Sequence, residues 1–152
     1  MDADSLIKLT KSNLKELVCN HFTVMIPQLV KEEVIDRGGE HPDSEVIKEN
    51  LEKRLLKIIP HVSSAKKGEE DVLSIFRQGK YDAVCSDDKK FIRRLRLFDI
   101  PYITSAVFIP MLLKEGKLSI TQAKEKLESL FPYIGDDEYY AIKEVLLAWR
   151  KR

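Results

Sequence analysis

Apolar positions recur at helical spacing near the start of the chain, where Leu6, Ile7, Leu9, Leu14, Leu17 and Val18 predict helix with Asp4 or Ser5 as its N-cap. The period then changes. Phe22-Thr23-Val24-Met25-Ile26 is a β-rich run stopped by Pro27, and Leu29, Val30, Glu33 and Val34 behind it predict a helix ending at Gly38-Gly39. Pro42 and Asp43 open a further helix over about 44–55, with Val46, Ile47, Leu51 and Leu55 as its apolar stripe. Leu56-Lys57-Ile58-Ile59, closed by Pro60, reads equally as the last turn of that helix or as a short strand. Beyond Gly68, the stripe Val72, Leu73, Ile75 and Phe76 predicts a helix over 69–78, its first turn acidic as the helix dipole favours. Ala83-Val84-Cys85 is a short buried strand, Asp87-Asp88 starts a helix carrying Phe91, Ile92 and Leu95, and 100–103 is another strand. From Ala106 onward the pattern is helical, with an apolar segment to Leu113, a break at Gly116, and helices over 121–130 and 136–150.

Strand and helix thus alternate through most of the chain, which argues for a layered α/β fold around a mainly parallel sheet, because parallel neighbours require crossover connections. The 152 residues are a prior for one domain, and 43% hydrophobic residues suffice for its core. Charge adds little: Lys and Arg exceed Asp and Glu by one, so net electrostatics announce no nucleic-acid partner. No apolar run approaches the ~20 residues of a membrane span, and Met1-Asp2-Ala3-Asp4 has no signal-peptide character, so a cytoplasmic chain is expected, with Cys19 and Cys85 reduced and buried.

In an open parallel sheet ligands sit beyond the carboxyl ends of the strands, so acids at those ends carry the candidate chemistry. Asp2 and Asp4 follow the first expected strand. Asp87 and Asp88 follow another strand, Glu33 lies in the helix behind the second, and Glu69, Glu70 and Asp71 open a helix. Two carboxylates ~4 Å apart repel by roughly 4 kcal/mol at an effective dielectric near 20, so a shared pocket needs a counter-charge. Mg²⁺ or Mn²⁺ fits, because such ions prefer carboxylate oxygens and water. His21, His41 and His61 form no zinc-binding signature. From position alone, helix caps are the commoner fate of such acids.

Taken together these residues resemble a PIN domain, a nuclease family that includes toxin ribonucleases of toxin–antitoxin pairs. The likeness runs from Asp2 to about Leu118. Its motifs are Asp2-Ala3-Asp4-Ser5-Leu6-Ile7, then Pro27-Gln28-Leu29-Val30-Lys31-Glu32-Glu33, then Gly68-Glu69-Glu70-Asp71, and finally Ser86-Asp87-Asp88. The resemblance implies a three-layer α/β/α fold with a core over about 1–118 and a helical extension over about 119–152. It implies that Asp2, Glu33, Asp71 and Asp88 are the catalytic, metal-holding acids, with Asp4, Glu69 and Asp87 accessory, and that the cofactor is Mg²⁺ or Mn²⁺.

The chemistry such a site supports is phosphodiester hydrolysis, in which divalent ions polarise the phosphoryl group and acidify a bound water. Single-stranded RNA is the expected substrate. Lys89, Lys90, Arg93, Arg94 and Arg96 form the densest basic stretch and follow Asp87-Asp88 directly, where phosphate contacts are in reach, although a solvated helix face is an equal reading. Thr104 and Ser105 are placed to bond a ligating carboxylate or the nucleic acid, and a helix cap is the ordinary alternative. Arg150-Lys151-Arg152 reads as a solvated terminus. A receiver-type signalling domain is the first rival, but it wants a Lys closely after a late strand, and none follows Ser105 closely. The second is a non-catalytic PIN scaffold that binds RNA or a protein. Family likeness also implies an antitoxin-like partner and a homodimer, with the apolar segment over 106–113 or the last helix, bearing Tyr139, Tyr140, Leu146, Leu147 and Trp149, as the surface. Core packing is the more common fate of such stripes.

Overall fold

Asp2 starts the first helix by capping it. In the computed structural model, which describes residues 1–36, 45, 47–49, 53, 55–60 and 68–149, helix α1 spans Ala3–Lys11, with the Asp2 carboxylate accepting the Ser5 amide, Asp4 in the first turn and Lys8 and Lys11 in the last. Its apolar stripe buries Leu6 and Leu9 completely. Asn13, at φ 53°, turns the chain into α2, Lys15–His21. Strand β1, Met25–Pro27, ends at its proline, and α3, Gln28–Lys31, continues as a wider π turn over Glu32–Asp36 that carries Glu33.

The ambiguous stretch before Pro60 resolves as a strand. β2, Lys57–Ile59, lies parallel to β1 in the register Met25↔Lys57, Ile26↔Ile58 and Pro27↔Ile59. Only fragments of the helix expected over 44–55 are described, and Gly38-Gly39, His41, His61 and Arg150-Lys151-Arg152 lie outside the described residues. Helix α4, Gly68–Arg77, stops at Gly79, whose φ of +78° suits a residue without a side chain. β3, Val84–Cys85, pairs in parallel with β4, Tyr102–Ile103, and the intervening crossover is helix α5, Lys89–Leu97. A short 3₁₀ turn, Ser105–Val107, leads into α6, Phe108–Lys114. Helix α7, Ile120–Leu130, opens on a capping box in which Ser119 and Gln122 satisfy each other's amides, and α8 spans Asp136–Leu147.

One apolar cluster joins these elements. It contains Leu6 and Leu9 of α1, Ile26 of β1, Phe91 and Leu95 of α5, Ile109 and Leu112 of α6, and Leu127, Leu130 and Leu146 of the last two helices. The last two helices therefore share the interior with the α/β part.

The strands depart from expectation. Instead of one central sheet, the described residues form two parallel pairs, β1–β2 and β3–β4. Met1 and Asp2 lie between them, the Met1 ammonium donating to the Met25 carbonyl at 2.9 Å and the Asp2 amide to the Cys85 carbonyl at 3.1 Å. That dipeptide reaches both inner edges but is too short to form the ladder that would join them.

Candidate functional site

The sequence folds its acids to helix starts and strand ends, and one oxygen of several carboxylates is spent on local backbone. Asp2 Oδ1 takes the Ser5 amide at 2.9 Å. Asp88 Oδ1 caps α5 by accepting the Lys90 and Phe91 amides at 2.7 and 2.8 Å. Asp87 Oδ1 takes the Ser105 amide at 2.7 Å, which ties the end of β3 to the residues after β4. In each case the anchoring bond fixes the side chain and leaves the second oxygen for other work.

Ser86 joins two of these acids. Its Oγ accepts the Asp88 amide at 3.2 Å, and its side chain is hydrogen-bonded to the Asp2 carboxylate. One fully buried serine is thus bonded to the Asp2 carboxylate and to the backbone of Asp88. Asp2 is itself only 7% exposed, and burial pushes its carboxyl above the ordinary range against the opposing pull of the Ser86 and Ser5 hydrogen bonds.

Asp87 belongs to a neighbouring charged group. Lys8 Nζ lies 2.7 Å from Asp4 and 3.5 Å from Asp87, whose side chain is almost wholly enclosed. Burial works to lower the Lys8 pKa but is outweighed by Asp4 and Asp87, leaving it raised. Glu138, projecting from α8, adds another acid facing Asp87; burial raises its pKa, while hydrogen bonds from the Thr104 side chain and the Ala106 amide oppose the rise. Among the described residues, Glu138 Oε1 is a buried oxygen without a hydrogen-bond partner, while the buried Asp87 Oδ2 is met by Lys8.

A second acidic pair lies where α3 and its π turn meet the start of α4. The Glu33 carboxylate passes so close over Gly68 that a Cβ there would sit 2.9 Å from Oε2. Asp71, one turn into α4, is fully buried. Helix α1 packs on the π turn that carries Glu33, so the two acidic groups are held to a common element.

The basic face of α5 is partly committed. Arg94 pairs with Glu69 at 3.1 Å, Lys89 with Asp137 at 3.3 Å, and Arg96 donates Nε to the Tyr102 hydroxyl at 2.8 Å. Lys89 holds the Asp137 carboxyl below its ordinary range. Lys90 and Arg93 are exposed. Ser105 is completely enclosed behind Asp87, so its amide works as an anchor for a carboxylate, whereas Thr104 is partly open.

The structure thus links the Asp2 carboxylate to the backbone of Asp88 through Ser86 and sets Glu33 beside the helix start bearing Asp71, while Asp4 and Glu69 are occupied by Lys8 and Arg94. Sequence reading had Ser86 only as the first position of its motif, with no role of its own, and missed Lys8 and Glu138. The spacing from Asp4 to Lys8 was a usable signal, since residues four apart share a helix face. Nothing local marks Glu138, whose place depends on how α8 packs.

All these donors are hard oxygens, several of them buried, so the set fits Mg²⁺ or Mn²⁺ in kind and disfavours softer metals. Among the described residues, no three acids, histidines or cysteines converge closely enough to hold an ion as they stand. No helix among them is long and apolar enough to cross a membrane.

A family model described as a PIN domain matches residues 1–146. No curated protein matches the chain, and no solved structure does.

Proposed function

Because the chain belongs to the PIN domain family, whose members are generally nucleases, we propose that it is a divalent-metal-dependent ribonuclease hydrolysing phosphodiester bonds in single-stranded RNA. The observation that supports the proposal is that Ser86 is bonded both to the Asp2 carboxylate and to the Asp88 backbone amide, with one oxygen of each acid pinned to backbone. In this reading Asp2, Glu33, Asp71 and Asp88 hold Mg²⁺ or Mn²⁺, and Asp4, Glu69 and Asp87 tune the charge around them. The ion, when bound, supplies Lewis acidity and an acidified water.

The chain's own side chains do the rest. Ser86 holds the Asp2 carboxylate and braces the backbone of Asp88, and Lys8 pairs with Asp4 and Asp87. Lys90 and Arg93, with Lys89, Arg94 and Thr104 nearby, attract and seat the phosphate backbone. The proposal includes a single domain over 1–152 in a three-layer arrangement, a cytoplasmic location, a homodimer, and a toxin role held in check by an antitoxin-like protein.

The deciding experiment compares cleavage of a single-stranded RNA, with a DNA oligomer of the same sequence alongside, by the intact chain and by Asp88→Asn in Mn²⁺ or Mg²⁺. Asparagine caps a helix as well as aspartate does, so stability should hold within about 0.5 kcal/mol while cleavage falls roughly 100-fold or more. Equal cleavage by both proteins refutes the assignment.

Gly68→Ala probes the other acidic pair. The new methyl meets Glu33 Oε2 at 2.9 Å and Val30 Cγ2 at 3.3 Å, and the flexible carboxylate is the group able to move. The expected result is a thermal midpoint within about 3 °C of the parent, because alanine also favours the helix, with cleavage reduced roughly tenfold.

A non-catalytic scaffold is the second reading, favoured by the finding that no three acids among the described residues converge. Measurable metal or RNA binding without cleavage by the intact chain supports it.

A further inference from the structure

At the end of α5 remote from Asp88, two guanidinium groups lie over two aromatic rings. Arg77, the last residue of α4, has its Cζ 4.9 Å from the Phe98 ring centroid. Arg96 has its Cζ 5.4 Å from the Tyr102 ring centroid and donates Nε to the Tyr102 hydroxyl at 2.8 Å. These contacts join the last turns of α4 and α5 to the start of β4, because a parallel crossover returns the chain to the edge where the strands begin.

Neither the apolar nor the charged part of this patch is used up within the fold. Leu97 is 80% exposed and Phe98 50%, and both stay outside the apolar cluster that holds the elements together. Arg77, Arg93 and Arg96 make no ion pair with a described residue. The adjoining turns add Lys80 against Asp82 and Asp99, all exposed, which leaves this end of the helix net positive. Lys89, Arg93 and Arg96 are spaced at i, i+4 and i+7, so they share a stripe along the nine residues of α5, a path of about 13 Å. The stripe starts beside Asp88, the N-cap, and finishes at Phe98, the C-cap.

We propose that this end of α5 is a stacking platform for single-stranded nucleic acid, on which a base lies against the Phe98 ring beside Leu97 while the flanking phosphates meet Arg77 and Arg96. Planar apolar groups and anions repeating along one flexible chain are the ligand chemistry that uses both features at once. In a duplex the faces of the bases are covered by their neighbours, so only the charge contacts remain. An apolar protein face would strand the guanidinium groups away from water, a cost that a phosphate chain avoids. The inference rests on the nucleic-acid reading above and deepens it: one strand is held at both ends of α5, with the bond to be cut near Asp88 and a base a few nucleotides away on Phe98.

The test measures binding of a labelled single-stranded RNA of about a dozen nucleotides in EDTA, where cleavage does not intervene, with the matching duplex alongside. Phe98→Ala should weaken single-strand binding about tenfold and leave duplex binding nearly unchanged, and Phe98→Trp should restore the loss. Arg77→Gln and Arg96→Gln should each weaken binding and reduce the slope of log affinity against log salt by roughly 0.7. All three positions are exposed, so thermal midpoints should stay within about 3 °C of the parent. Equal single-strand binding by the parent and Phe98→Ala overturns the platform, and the nuclease reading survives that result if Mn²⁺-dependent cleavage persists. Phe98-dependent binding by a chain that never cleaves supports the platform and sinks the nuclease reading alone. A parent chain that ignores the RNA but self-associates, and loses that association in Leu97→Glu, overturns the platform in favour of a protein contact.

Discussion

Asp2→Asn is expected to reduce RNA cleavage at least about 1000-fold, corresponding to roughly 4 kcal/mol of transition-state stabilisation, the several kcal/mol a polarising ion supplies. The expected loss exceeds that for Asp88→Asn because Asp2 is 7% exposed, and a charge in so dry a position is poorly replaced by water. Asparagine keeps the cap on the Ser5 amide, so unfolding free energy should stay within about 1 kcal/mol of the parent. Burial already opposes ionisation of this carboxyl, so removing its charge relieves a cost in the metal-free protein. Cleavage assays and urea denaturation on the same preparation separate the two effects. Near-parental cleavage would remove Asp2 from the site and with it the main support for the nuclease reading.

Phe91→Ala is expected to lower stability by about 3–5 kcal/mol and the thermal midpoint by roughly 10 °C or more. Phe91 is completely buried in the cluster beneath α5, and deleting its ring leaves a void that the surrounding side chains can only partly fill. The same helix begins at Asp88 and carries Lys90 and Arg93 on exposed positions. Cleavage measured well below the new midpoint should therefore fall far less than in Asp2→Asn. A midpoint shift of only a degree or two would mean that the helix is held by its cap and ion pairs rather than by its buried face.

Periodicity made most of the element order legible. The helices at Ala3–Lys11, Gly68–Arg77, Lys89–Leu97 and Ile120–Leu130 coincide closely with apolar stripes, but the first is capped by Asp2 and not by Asp4 or Ser5, because it is the Asp2 carboxylate that accepts the Ser5 amide. Leu56 to Ile59 remained ambiguous because four apolar-rich residues fit either period, and only pairing with β1 makes residues 57–59 a strand. The expected parallel pairing is present, but among the described residues it forms two pairs and not one sheet, because pattern signals that strands exist and not which of them pair. Within the site, strand-end position pointed to Asp2, Asp87 and Asp88 together, and the family resemblance favoured Asp88 with Asp87 accessory. Sequence had no means of showing that Asp88 spends an oxygen on a helix cap while Asp87 turns toward Lys8 and Ser105.

The amino-acid order by itself determined the α/β alternation and that Asp87 and Asp88 follow a strand, because each of these is a relation among residues a few positions apart. Tertiary packing alone decided that Ser86 reaches the Asp2 carboxylate, that Glu138 comes in from the last helix, and that Arg94 is taken up by Glu69. Those facts depend on long-range contacts driven by burial of apolar surface, which is non-directional and leaves no local mark on the charged residues it brings together.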